Sequence, residues 1–211
     1  MLRIAVLASG RGSNLRALID AVRRGELDAR IVGVFSDKAN SGALAQARDC
    51  RIPASHVAPK AGSTRVEYDR ALFAAIDGCA PDLIVCAGFM RILSADVVAP
   101  RVSRMINIHP SLLPNYPGLH THRRAIEAGD TEHGASVHVV IPDLDAGPVI
   151  AQTRLTISAD DSAESLAERL LPQEHRLLVQ AVRWCAEGRL RFDADHVRFD
   201  ERILTEPLRV D

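Results

Sequence analysis

A chain of 211 residues, 47% hydrophobic and 25% charged, is long enough to bury a core of its own and lacks the bias of a disordered or fibrous segment. Its formal net charge of -1 provides no general attraction to a nucleic-acid backbone or an anionic membrane, so small-molecule partners are expected. The longest apolar runs, such as residues 83–87, are too short to span a bilayer, and the start shows no signal-peptide architecture, which predicts a cytoplasmic protein.

Residues 2–8 are almost continuously apolar and run into Ser9-Gly10-Arg11-Gly12-Ser13-Asn14, the pattern of a buried strand entering a tight turn. Leu15, Leu18, Ile19 and Val22 then recur at helical spacing. A strand over 31–35, a helix near 42–49, a short strand around 55–57 and a helix over 64–77 follow, with further strands over 83–86 and 105–108. This alternation predicts an α/β fold of parallel βαβ units, its sheet covered by helices on both faces. Beyond residue 130 two strand-like segments, 135–141 and 149–155, flank the loop 142–148 and are expected to extend the sheet. A helical pattern over 163–186 contains Pro172, where a kink or restart is expected. The tail 190–203 alternates around Asp193-Ala194-Asp195 and predicts a terminal hairpin. No internal repeat is visible, so one domain is expected over 1–211. Cys50, Cys79, Cys86 and Cys185 form no C-x-x-C pair, which argues against a zinc site or a disulfide framework.

In an open α/β sheet the first strand-to-helix turn is a frequent phosphate seat. Gly10 and Gly12 can let successive N–H groups converge on an anion at the helix N-terminus, with Ser13 and Asn14 as further donors. Ser13 or Asn14 capping the helix is the alternative. A dinucleotide fingerprint would need glycine at position 15, where Leu15 stands, although Asp37 lies where a ribose-binding acid would. No Gly-Lys-Ser/Thr follows, which excludes a Walker loop.

Asn107 and His109 lie two apart in a strand closed by Pro110, so their side chains share one face at the sheet's carboxyl edge. An amide to hold an oxyanion beside an imidazole to move a proton suits acyl transfer. Asp145, in the loop 142–148, is the candidate to orient the histidine and favour its protonated form. No serine or cysteine sits in a nucleophile-elbow setting, so direct attack by a substrate amine is expected. His120, His122 and His138 lack a matching acid or cysteine and no metal is expected; His120 and His122 are read as lining the pocket or capping a helix near Arg123.

Six segments together resemble the glycinamide ribonucleotide formyltransferases, folate-dependent enzymes of purine biosynthesis. They are residues 9–15, 87–93, the uninterrupted run 107–122, then 133–138, 144–150 and Gln173-Glu174-His175. The resemblance implies a Rossmann-like formyltransferase fold with a mixed, mostly parallel sheet, a nucleotide-binding half over about 1–104 and a folate-binding and catalytic half over about 105–211. It implies that Gly12, Ser13 and Asn14 hold the phosphate of glycinamide ribonucleotide and that Glu174 contacts its sugar-amine portion. Arg65, Met90, Arg91, Ile92 and Leu93 would border the site of 10-formyltetrahydrofolate, with Asn107, Ile141, Asp143 and Asp145 completing it. Asn107 and protonated His109 would stabilise the oxyanion, with Asp145 raising the histidine's pKa. The implied state is a monomer or homodimer. Two departures stand out: Leu178-Val179 replaces a Tyr-Pro usual after the Glu-His pair, and Pro172 precedes that pair.

Methionyl-tRNA formyltransferase and 10-formyltetrahydrofolate hydrolase share the Asn-x-His and Asp arrangement by family resemblance. The first usually carries an RNA-binding domain and the second a preceding regulatory domain, whereas here the catalytic part fills nearly the whole chain. A non-catalytic binding module is the remaining alternative, opposed by the presence of Asn107, His109 and Asp145.

Overall fold

The computed structural model describes residues 1–211. Its first part alternates as the apolar periodicity predicts: β1 (Leu2–Leu7), α1 (Ser13–Arg23), β2 (Ala29–Ser36), α2 (Gly42–Asp49), β3 (Ala54–His56), α3 (Arg65–Asp77) and β4 (Leu83–Cys86). A short helix, α4 (Ala95–Val98), and a 3₁₀ segment (Ala99–Arg104) lead into β5 (Met105–His109). Then come α5 (Thr121–Glu127), β6 (Glu132–Val139), β7 (Val149–Thr156) and the long α6 (Ala163–Ala186). The tail adds β8 (Leu190–Phe192), β9 (Val197–Phe199), β10 (Arg202–Ile203) and β11 (Leu208–Arg209).

Eight strands form one sheet in the order β11-β7-β6-β5-β4-β1-β2-β3. Strands β1 to β5 pair parallel, and β6 and β7 add antiparallel, so the sheet is mixed and mostly parallel as expected. Alternation along β1 sends Ile4, Val6 and Ala8 into one core, shared with α1, α2 and α6. Ala5 and Leu7 enter a second core on the opposite face, shared with α3 and α4. Helices therefore cover both faces, and β1 is buried throughout its centre, which explains its continuous apolar run.

Two expectations change, and one strand is added. Helix α6 is continuous through Pro172 rather than restarting there. Leu166, Leu170, Leu177, Leu178, Ala181 and Val182 are all buried along it, and that packing outweighs the local loss of one backbone donor, of about 3 kcal/mol. The tail forms a three-stranded antiparallel sheet, β10-β9-β8, instead of a simple hairpin. The chain then returns to the main sheet, where β11 pairs parallel with β7 at the edge.

Candidate active site

The order of the sheet reverses between β1 and β4: the chain leaving β1 crosses to the β2 side, and the chain leaving β4 crosses to the β5 side. Such a reversal opens a crevice at the carboxyl ends of the strands. The glycine turn forms one wall. Gly12 occupies the N-cap position of α1 at φ 82°, and no side chain caps that helix, so the capping role for Ser13 or Asn14 is not observed. A Cβ on Gly12 would lie 2.7 Å from the Ala43 Cα, so both the backbone angle and the close packing on α2 require glycine. Asn14 is buried and its Nδ2 donates to Glu174 Oε2 at 3.3 Å, joining residues far apart in the chain. Burial raises the Glu174 carboxyl above its ordinary range, with the Asn14 bond pulling the other way. Asn14 Oδ1 is buried without a protein partner.

The second wall is built by β5 and β6. Their antiparallel register sets Asn107 opposite His138 and His109 opposite Ser136. The loop after β6 turns back tightly, because a Cβ on Gly147 would lie 2.0 Å from the Val139 carbonyl oxygen. That return carries Asp145, at φ 50°, over the ends of both strands. Asp145 Oδ2 accepts from the Gly118 N–H at 2.8 Å and lies 3.5 Å from His109 Nδ1; its Oδ1 lies 3.6 Å from His138 Nε2. Asn107 Nδ2 is 3.0 Å from His138 Nε2, and His109 Nε2 is 2.9 Å from the Tyr116 carbonyl oxygen. A carbonyl only accepts, so Nε2 carries the His109 proton and Nδ1 faces the carboxylate.

Asn107, His109 and Asp145 are thus brought together. The effect of Asp145 on the histidine is present but does not dominate: burial lowers the His109 pKa more than the Tyr116 carbonyl and Asp145 raise it. Burial thus favours the neutral imidazole, against the pull of Asp145 toward the imidazolium. Burial pushes the Asp145 carboxyl up, yet His138, the Gly118 N–H and His109 together hold it below the usual range.

From the sequence, His138 has no role beyond its place in the segment 133–138 and among three histidines weighed for a metal. Instead His138 stands against Asn107 and Asp145, His122 packs on His133 with ring centroids 4.9 Å apart, and His120 is exposed. His120 occupies the N-cap position of α5 without a capping side-chain bond. Neither His120 nor His122 lines the cleft. The signal for His138 was the β5–β6 register, which pairs it directly with Asn107.

Beside the second wall lies a cleft lined by Cys86, Arg91, Ile92, Leu93, Asn107, His138, Ile141, Asp143 and Asp145. Ile92 stands 53% exposed on the cleft lining, whereas Met90, 61% exposed, is not part of that lining. Arg65 does not line the cleft; it stands exposed at the first turn of α3, ahead of the buried face that begins at Tyr68.

Residues 2–182 match the model of the formyl transferase family. The chain belongs to this family. A phosphoribosylglycinamide formyltransferase of Escherichia coli (strain K12) is 47% identical to this formyl transferase over 203 residues, covering 96% of each chain. The solved structure of a phosphoribosylglycinamide formyltransferase from Coxiella burnetii, in complex with CHES, has a TM-score of 0.94 at 43% identity and covers 100% of this chain and 99% of its own. A formyltetrahydrofolate deformylase from Pseudomonas syringae has a TM-score of 0.86 at 26% identity, but this formyl transferase spans only 65% of it.

Proposed function

We propose that this protein transfers the formyl group of 10-formyltetrahydrofolate to the amine of glycinamide ribonucleotide, giving formylglycinamide ribonucleotide and tetrahydrofolate in de novo purine biosynthesis. The observation that carries this reading is the meeting of Asn107, His109 and Asp145 at the head of the sheet-reversal cleft, in a chain matched end to end by phosphoribosylglycinamide formyltransferases. The ribonucleotide phosphate sits on the turn at Gly12, Ser13 and Asn14, with Glu174 reaching its sugar-amine portion across Asn14. The folate lies in the cleft against Arg91, Ile92, Leu93, Ile141 and Asp143, with Met90 next to them in the chain. The two seats therefore divide by sheet edge more than by chain half, since residues 90–93 precede β5.

The amine attacks the formyl carbon, and negative charge builds on the formyl oxygen. Asn107 Nδ2 donates to that oxygen, its amide held by His138, whose Nδ1 is fixed 2.9 Å from the Val139 carbonyl. His109 Nδ1 takes the proton released by the attacking nitrogen, and the adjacent carboxylate of Asp145 favours the imidazolium while it lasts. The proton then passes to the folate nitrogen as its bond to the formyl carbon breaks, so no net proton is gained or lost. The departure at Leu178-Val179 does not disturb this set, because Leu178 is fully buried in the core. The enzyme is read as cytoplasmic, working on small molecules as a monomer or homodimer; no helix is long and apolar enough to cross a membrane.

Initial rates with both substrates varied test the reading. Direct attack in a ternary complex predicts intersecting reciprocal plots and no tetrahydrofolate when the ribonucleotide is omitted. Parallel plots, the pattern of a covalent formyl-enzyme, or folate turnover without ribonucleotide would contradict it.

A further inference from the structure

We infer that Ser9 and Asp37 act as a positioning strut that fixes the distance between the two substrate seats. The inference rests on the proposed function for what the seats hold, and on the hydrogen bonds alone for the strut. Backbone pairing of β1 with β4 ends at Leu7 and Cys86, followed by the Ala87 N–H on the Leu7 carbonyl at 2.9 Å. Beyond that point the crevice opens, and Ser9 is the residue that crosses it. Its N–H donates to the Gly88 carbonyl at 3.0 Å, and its Oγ accepts from the Met90 N–H at 2.9 Å.

The hydroxyl can accept from Met90 because its own proton goes elsewhere: Ser9 Oγ donates to Asp37 Oδ1 at 2.6 Å. A carboxylate only accepts, so the direction of the chain Met90 N–H to Ser9 to Asp37 is fixed. Asp37 follows the end of β2 and its side chain is 4% exposed, so it anchors the hydroxyl from within the fold. One side of Ser9 is the turn 10–14; the other is the rim 88–93. Neither Ser9 nor Asp37 touches the reacting atoms, but a shift of about 1 Å between amine and formyl carbon costs on the order of a hundredfold in rate.

The far end of the rim is held separately. Ser94 N–H donates to Asp69 Oδ2 at 2.7 Å, and the Arg91 guanidinium lies 4.3 Å from the Tyr68 ring centroid. Loss of the strut therefore frees the near end of the rim while leaving the rest in place.

Two measurements on the full-length protein test this. In Asp37→Ala, kcat is expected to fall at least about tenfold, while each substrate measured alone binds within threefold of wild type; Asp37→Asn, whose amide oxygen still accepts from Ser9, restores kcat. An unchanged kcat in Asp37→Ala overturns the inference, as does a loss that appears equally in both separate affinities and is not rescued by asparagine. Hydrogen exchange needs no substrate: Ser9→Ala should speed exchange of the Met90 amide about tenfold and leave the Ser94 amide unchanged. Unchanged exchange at Met90 sinks the strut even in an active enzyme, whereas faster exchange in a protein that transfers no formyl group sinks the proposed function and keeps the strut.

Discussion

Burial and charge pull the His109 imidazole in opposite directions, and burial wins. Replacing Asp145 by asparagine removes a contribution that raises the histidine's pKa, so the acidic limb of the rate profile, governed by His109, should move to lower pH. A pH profile of kcat in Asp145→Asn that coincides with wild type would separate the two residues. Asn107→Ala should lower kcat by about 10² to 10³, the scale of one oxyanion donor, and a loss under tenfold would remove Asn107 from that role. The period-two spacing of Asn107 and His109 made them legible from the sequence, because strand parity is a local property. His138 was not, because its pairing with Asn107 depends on a register set by the whole β5–β6 ladder. The balance at His109 was also illegible, since burial is a property of the packed fold.

At the level of single elements, the helices and strands of the first part follow local periodicity closely, down to α2 and β4, whose ends coincide with the expected bounds. The helix α6 is where local rules mislead. Pro172 is exposed and lies within it, so Pro172→Ala restores a backbone donor without disturbing the core. It should raise the unfolding free energy by about 1–3 kcal/mol in urea titrations; a loss of stability would show that proline shapes the helix usefully. Gly12→Ala acts in the other direction. Its left-handed backbone costs about 1–2 kcal/mol for alanine, before the contact with Ala43, so Tm should fall by at least about 3 °C. The KM for ribonucleotide should rise with it, and an unaffected KM would dissociate the turn from the phosphate. The last strand of the tail escaped the sequence reading because β11 is two residues long and gains its place only by pairing with β7.

Across the whole molecule, four imidazoles resist protonation in the folded state. Burial lowers the pKa of His122, His175 and His109, and burial reinforced by His122 lowers His133 to about 4. Folded values below the unfolded value of about 6.5 mean that the unfolded chain binds more protons between these limits. The contribution of these imidazoles is therefore fully present above about pH 6.5 and is lost as pH falls, the loss from His133 being complete only toward about pH 4. The raised carboxyl of Glu174 works the opposite way, as one group against four. Urea midpoints should be lower at about pH 5 than at about pH 7.5, and equal midpoints would refute this balance. The sheet reversal that creates the cleft is likewise a property of the whole chain, foreseen only as far as alternating strands and helices imply it. The central claim, formyl transfer between two seats across that cleft, is tested most directly by following a carbon-13 formyl label on the folate as ribonucleotide concentration rises. The account predicts label in the ribonucleotide amide alone, with none released as formate at any concentration. Label appearing as formate at a rate independent of the ribonucleotide would contradict it.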